Sequence, residues 1–206
     1  MNIFLLFIGL IALFLILVCL IPGMNGNKQG QEASGQPVND NASLFTDPEW
    51  NSGDEYVNTM YTYIAGINFR IKKQLEFGFI GYTEPEPANP HDKNAVKICM
   101  NTGHQLGYVP KKELREYHRD SEGRQCPCIG YVYKGDNGMV YSNVLIIFSH
   151  DEKMVTLNIA KYARWLVDKR GLKFLPMGLD FNDAKPKTRA EAMRLLDKAI
   201  EELRQS

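Results

Sequence analysis

The sequence has no excess of charge of either sign: 24 Lys and Arg balance 24 Asp and Glu. No global field therefore draws the chain to nucleic acid or to acidic lipid, and any polyanion site has to be a local patch. Catalytic signatures are missing too. No Walker-type G-x-x-x-x-G-K-[ST], no G-x-S-x-G and no H-E-x-x-H occurs in the 206 residues. That removes the commonest phosphate-cradling, serine-nucleophile and zinc-protease chemistries. The expectation is a non-catalytic protein, with any hydrolase activity belonging to its partners. Cysteines are few: Cys19, Cys99, Cys126 and Cys128. Cys126-Pro-Cys128 is spaced too tightly for an easy mutual disulfide, so this is no disulfide framework and a reducing compartment is expected. The expected metal ligands and cofactors are none. A zinc site from His118, Cys126 and Cys128, joined by His104 or Cys99, is the minor alternative. Cys-x-Cys lacks the usual ligand gap, and no second pair exists.

What the sequence does contain begins with "IFLLFIGLIALFLILVCLI", Ile3 to Ile21, an uncharged run. It is long enough to cross a hydrocarbon core of about 30 Å as a helix. A cleaved signal peptide fits less well. The leading "MN" has no Lys or Arg, no small-x-small site comes after the run, and Val18 before Cys19 departs from a lipoprotein signal. Residues 1–23 are therefore expected to be a single-pass transmembrane anchor. Lys28, on the C-terminal side, leans toward a cytoplasmic body. Residues 24–55, rich in Gly, Asn, Gln, Ser and Pro, read as a flexible linker. Leu44, Phe45 and Trp50 are the linker's candidates for docking on a folded domain. Asn41-Ala42-Ser43 forms a glycosylation sequon only in a eukaryotic luminal setting.

From Tyr56 the character changes. "YVNTMYTYIAGINFRI", "LEFGFIGYT", "NAVKICM", "QLGYVP", "IGYVY" and "VYSNVLIIF" are short β-branched or aromatic runs between Gly, Pro, Asn and Asp turns. They predict a small all-β barrel over 56–150. "KKELREYHRD" predicts a short helix after Pro110 with Leu114 and Tyr117 on one side. Residues 151–206 predict helices. Leu157, Ala160, Ala163, Leu166 and Val167 recur at helical spacing, and Gly171 is a stop. Thr188-Arg189-Ala190-Glu191 forms a capping box. After it comes the stripe Ala192, Met193, Leu196, Ala199, Ile200 and Leu203, expected to face the barrel, with a partner-helix surface as the alternative. The fold class is α+β: a small OB-like or SH3-like β-barrel with C-terminal helices, preceded by a single transmembrane helix.

The stretch "ANPHDKNAVKI" runs from a polar turn into an apolar alternation. Asn89-Pro90 favours turn initiation, and Asp92 is placed to accept from a backbone N–H two residues on. His91 and Asp92 make a poor catalytic dyad, because adjacent residues of extended chain point to opposite faces. The turn contains neither Ser nor Cys as a nucleophile.

Taken together, "YIAGINFR", "NPHDKNAVKI" and "GHQLGYVPKKE" resemble the HIRAN domain, a small β-barrel module of DNA remodellers and of many bacterial proteins. Gly66, Asn89, Pro90, Asp92, Asn94, Ala95, Gly107, Tyr108 and Pro110 stand where that pattern expects them. The resemblance covers roughly Met60 to Phe148. It implies an OB-like barrel that captures single-stranded DNA, with Asn89 and Asp92 in an end-binding pocket. Phe69 would then be a stacking platform, Tyr108 and Lys111 would lie at the rim, and Arg70 would supply charge. Stacking faces and phosphate-tracking cations are what single strands require. Three departures stand out. Asn68 replaces an Arg, leaving Arg70, read as a strand residue on the same face, as the nearest cation. His91 replaces a Tyr as the aromatic of the turn. "EPEP" before Ala88 adds two carboxylates. Between Met60 and Gln125, ten Lys and Arg face eight Asp and Glu, a thin footprint for DNA. The expected function is thus a membrane-tethered, non-catalytic binder of nucleic acid, single-stranded DNA ends in particular. A protein–protein interaction module that keeps the barrel but not the DNA site is the alternative.

Overall fold

A computed structural model describes Glu55, residues 57–71, residues 76–172, Pro176 and residues 186–205. The expected anchor over 1–23 and the linker up to residue 54, with Cys19, Leu44, Phe45, Trp50 and the sequon, lie outside the described residues. Among the described residues, no helix is long and apolar enough to cross a membrane.

The apolar runs form six strands: β1 Thr59–Thr62, β2 Phe77–Pro85, β3 Val96–Met100, β4 Gln105–Tyr108, β5 Cys126–Lys134 and β6 Val140–Ile147. They make one antiparallel sheet in the order β1-β6-β5-β2-β3-β4. Its two outer strands are drawn together just past their ends. The Ala65 N–H donates to the Tyr108 carbonyl at 2.8 Å, and the Tyr108 N–H donates back at 3.0 Å. The sheet therefore curls into a half-barrel.

Inside the curl, Met60, Ile64, Phe79, Ile98, Leu106, Val144 and Ile146 share one core. On the outer face Ile80, Ile129, Leu145 and Ile147 share a second with the helices. Because both faces of β6 are covered, its side chains are almost all buried. This is why "VLIIF" reads as a continuous apolar run and not an alternation.

The helical expectations hold. A 3-10 turn at Lys111–Glu113 leads into α2, Leu114–Ser121, which buries Leu114 and Tyr117. The Tyr117 hydroxyl donates to the Arg124 carbonyl at 2.9 Å and lies 2.8 Å from Thr83 Oγ1. Helix α3, Glu152–Lys169, starts on an Asp151 cap that accepts from the Met154 N–H at 3.1 Å. It lays Ile159, Tyr162, Ala163, Leu166 and Val167 against the outer core, and Ala192 and Leu196 of α4, Arg189–Gln205, complete that core. The capping box forms with one variation. Thr188 Oγ1 accepts from the Glu191 N–H at 3.2 Å, but Glu191 Oε2 reaches the Lys187 N–H at 2.7 Å, one residue earlier than usual. The C-terminal stripe is thus a core face. Glu55 joins the two helices, pairing with Lys161 at 2.5 Å and Arg204 at 2.6 Å.

One expectation is corrected. Ile67–Arg70, read as continuing the first strand, is a single helical turn, α1. Gly66 takes φ 79, a left-handed conformation that a β-carbon disfavours. The Ile71 N–H then closes the turn onto the Ile67 carbonyl at 2.9 Å. Ile67 is buried while Asn68, Phe69 and Arg70 are exposed. Asn68 and Arg70 are therefore not strand neighbours on one face.

Candidate nucleic-acid interface

The turn between β2 and β3 is held by its own polar side chains. Asn89 Oδ1 accepts from the His91 N–H at 2.9 Å and the Asp92 N–H at 3.1 Å. Asp92 Oδ1 accepts from the Asn94 N–H at 2.9 Å, the contact expected of it. From α2, His118 Nε2 meets the Asn94 carbonyl at 2.8 Å, so Nε2 carries the proton. These bonds fix the loop and leave His91 exposed at its tip.

The Asn89 amide looks the other way. Its Nδ2 donates to Glu86 Oε2 at 2.6 Å and lies 3.4 Å from the Tyr108 hydroxyl, which itself donates to Glu86 Oε2 at 3.1 Å. The Asn89 amide, then Tyr108 and Lys97, hold the Glu86 carboxyl below the usual carboxylate range. Arg70 stacks its guanidinium 5.6 Å from the Tyr108 ring centroid, a cation–π contact. Lys97 is shared by Glu84 at 3.5 Å and Glu86 at 3.7 Å, which neutralises it. Arg70 pairs with no carboxylate among the described residues, so it is the available cation here.

Phe69 is 84% exposed and Met139 45%. An isolated exposed hydrophobe is ordinary, but these two flank one clasp. Asn68 Nδ2 donates to the Val140 carbonyl at 3.0 Å, and the Val140 N–H donates to Asn68 Oδ1 at 2.8 Å. The residue standing in place of the expected Arg therefore bonds the edge of β6 as a neighbouring strand would. Phe69 and Met139 sit beside its two ends in the chain.

Among the sequence-predicted residues, the structure brings Arg70, Asn89 and Tyr108 into one contact chain, with Phe69 next to Arg70 in sequence and Asp92 joined to Asn89 through its backbone N–H. Lys111 is exposed on the 3-10 turn, and no hydrogen bond or ion pair joins it to them among the described residues. Sequence reasoning missed Met139 and the clasp role of Asn68, since only β6 pairing reveals them. It noted Glu86 as a stray carboxylate, not as the acceptor at the centre of the site.

The zinc alternative finds no support in the geometry. Among the described residues, no group of three or more His, Cys, Asp or Glu is placed to hold a metal. His118 is engaged with Asn94, while Cys99, Cys126 and Cys128 are buried thiols, each pushed up by burial.

A curled antiparallel half-barrel with a rigid Asn-Pro turn, backed by C-terminal helices, describes a small β-module. Residues 57–141 match the family model of the HIRAN domain. The match stops inside β6, so the rest of that strand and both C-terminal helices lie beyond it. Three solved structures are similar. The crystal structure of the HIRAN domain of human HLTF is 19% identical, with a TM-score of 0.34, covering 56% of this chain and 90% of that one. The NMR structure of the same HLTF domain in its DNA-bound conformation is 16% identical, with a TM-score of 0.34 and coverage of 55% and 88%. A protein from Lactobacillus plantarum is 16% identical, with a TM-score of 0.31 and coverage of 44% and 98%. No curated protein matches the chain.

Proposed function

We propose that this chain is a non-catalytic binder of single-stranded nucleic acid, DNA ends in particular, whose HIRAN domain is tethered to a membrane by Ile3–Ile21 and faces the cytoplasm. The observation that carries the binding reading is Phe69, an apolar ring held in solvent beside Arg70, which is itself stacked on Tyr108 and free of any described carboxylate. A base stacks on such a ring irrespective of sequence, while the guanidinium meets the phosphate. The HIRAN match over 57–141 supports the same ligand class. The tether and its orientation rest on the sequence alone.

The test uses the full chain in mild detergent and a labelled single-stranded DNA, followed by fluorescence anisotropy across a salt series. Affinity should fall with salt, and a free 3′-hydroxyl should bind better than a 3′-phosphate. Phe69→Ala should weaken binding by about 1–3 kcal/mol, the value of one base–aromatic stack. Its melting temperature should not change, because the ring is 84% exposed. Equal binding by Phe69→Ala, or no binding at low salt, would refute the reading. Glu86, an ionised acceptor at the centre of the site, favours a second reading as a protein-interaction module. That is the outcome if no nucleic acid binds.

A further inference from the structure

We infer that Glu86 sets the specificity of this site: its carboxylate accepts from the amino group of a nucleobase and keeps phosphate off the Asn89 turn, so that a strand of cytosines is preferred to a strand of thymines. The inference rests on the nucleic-acid reading above and adds which part of the strand meets which residue.

Glu86 is fixed at both ends. Its backbone N–H donates to the Ala95 carbonyl at 2.8 Å, and its carbonyl accepts from the Asn89 N–H at 2.9 Å. Its Oε2 holds the Asn89 amide at 2.6 Å and the Tyr108 hydroxyl at 3.1 Å. Those two donors would otherwise suit an anion, and here an anion already occupies them. Oε1 lies 3.7 Å from Lys97 Nζ, outside hydrogen-bond range, and the side chain is 29% exposed. One carboxylate oxygen therefore keeps lone pairs for a ligand, and an ionised carboxylate accepts only.

An incoming phosphate meets like charge at Glu86, which holds the Tyr108 hydroxyl, and opposite charge at Arg70, which lies over the Tyr108 ring. The strand is thus oriented with phosphates toward Arg70 and base edges toward Glu86. Cytosine presents its N4 amino group as a donor, the pairing a carboxylate is suited to. Thymine presents the O4 acceptor at the same place and sets lone pair against lone pair. Adenine, with its N6 amino group, falls with cytosine.

The experiment measures the affinities of the full chain in detergent for labelled oligo-dC and oligo-dT of equal length. It compares wild type, Glu86→Gln and Glu84→Gln. Wild type should favour oligo-dC by about tenfold, within the range of one good base contact. Glu86→Gln is nearly isosteric and still accepts from Asn89 and Tyr108, but it can also donate to thymine O4. Its dC-to-dT ratio should fall to one or below, because oligo-dC loses its acceptor at the Oε1 position while oligo-dT gains a donor there. Glu84→Gln, which removes only a partner of Lys97, should keep the ratio and so controls for the loss of a negative charge nearby. Binding without base preference in wild type, or a preference that survives Glu86→Gln, overturns the inference while leaving the nucleic-acid reading intact. No binding of either strand by any of the three proteins overturns both.

Discussion

Gly107 is where the fold and the candidate site depend on one missing side chain. A Cβ there would lie 2.4 Å from the Ala65 carbonyl oxygen and 2.4 Å from Ile64 Cγ2. Neither neighbour is a flexible chain end: one is backbone, the other a fully buried β-branched residue. Gly107→Ala must therefore push the segment before α1 away from β4, stretching the two Ala65–Tyr108 hydrogen bonds that close the curl. Overpacking costs about 1–3 kcal/mol, and each backbone bond adds about 0.5–1.5 kcal/mol. The expected loss is about 2–6 kcal/mol, and the middle of that range lowers Tm by about 10 °C for a domain of this size. Urea and thermal unfolding followed by circular dichroism measure it. Gly103→Ala is the comparison. Gly103 has φ +81, but a Cβ there would meet nothing within 4 Å, so only the left-handed backbone strain of about 1–2 kcal/mol applies. If Gly107→Ala proves no less stable than Gly103→Ala, the close approach, and with it the account of how Tyr108 is positioned, is wrong.

Two further predictions concern stability. Tyr117→Phe deletes a hydroxyl that donates to the Arg124 carbonyl and meets Thr83 Oγ1 in the buried interior. It should lower the unfolding free energy by about 1–3 kcal/mol in urea titration, with the fold retained; an unchanged midpoint would show that the network carries nothing. The Glu55 carboxyl is held down to about 2 from an ordinary 4.5 by Arg204 first and then Lys161. Its folded value lies below its unfolded one, so its contribution is full above about pH 4.5 and is lost as the pH falls toward 2. With a half-exposed Arg204 the contribution is about 0.5–1 kcal/mol, and Glu55→Gln should flatten that part of the acid-unfolding curve; an identical acid limb in the variant would count against the pairing.

The six strands, the helices after Pro110 and the Asn89 turn were legible in the sequence. Alternation and turn residues mark strands because a pleated chain exposes every second side chain, and Asp92 announces its Asx-turn because that bond is local. The capping box and the stripe from Ala192 to Ile200 were legible for the same reason, as contacts three or four residues apart. Tertiary structure decided what depends on distant pairing. Ile67–Arg70 has strand-like composition, yet it turns because the end of β4 takes up the Ala65 backbone and the chain must leave the edge at Gly66. Asn68 looked like a lost cation; its clasp on Val140, 72 residues away, appears only once β6 is in place. Glu86 looked like a stray charge, and only the folding of β4 against the turn brings the Tyr108 hydroxyl to it. Local chemistry is written in neighbouring residues, whereas a site assembled from three separate segments exists only when the sheet has curled.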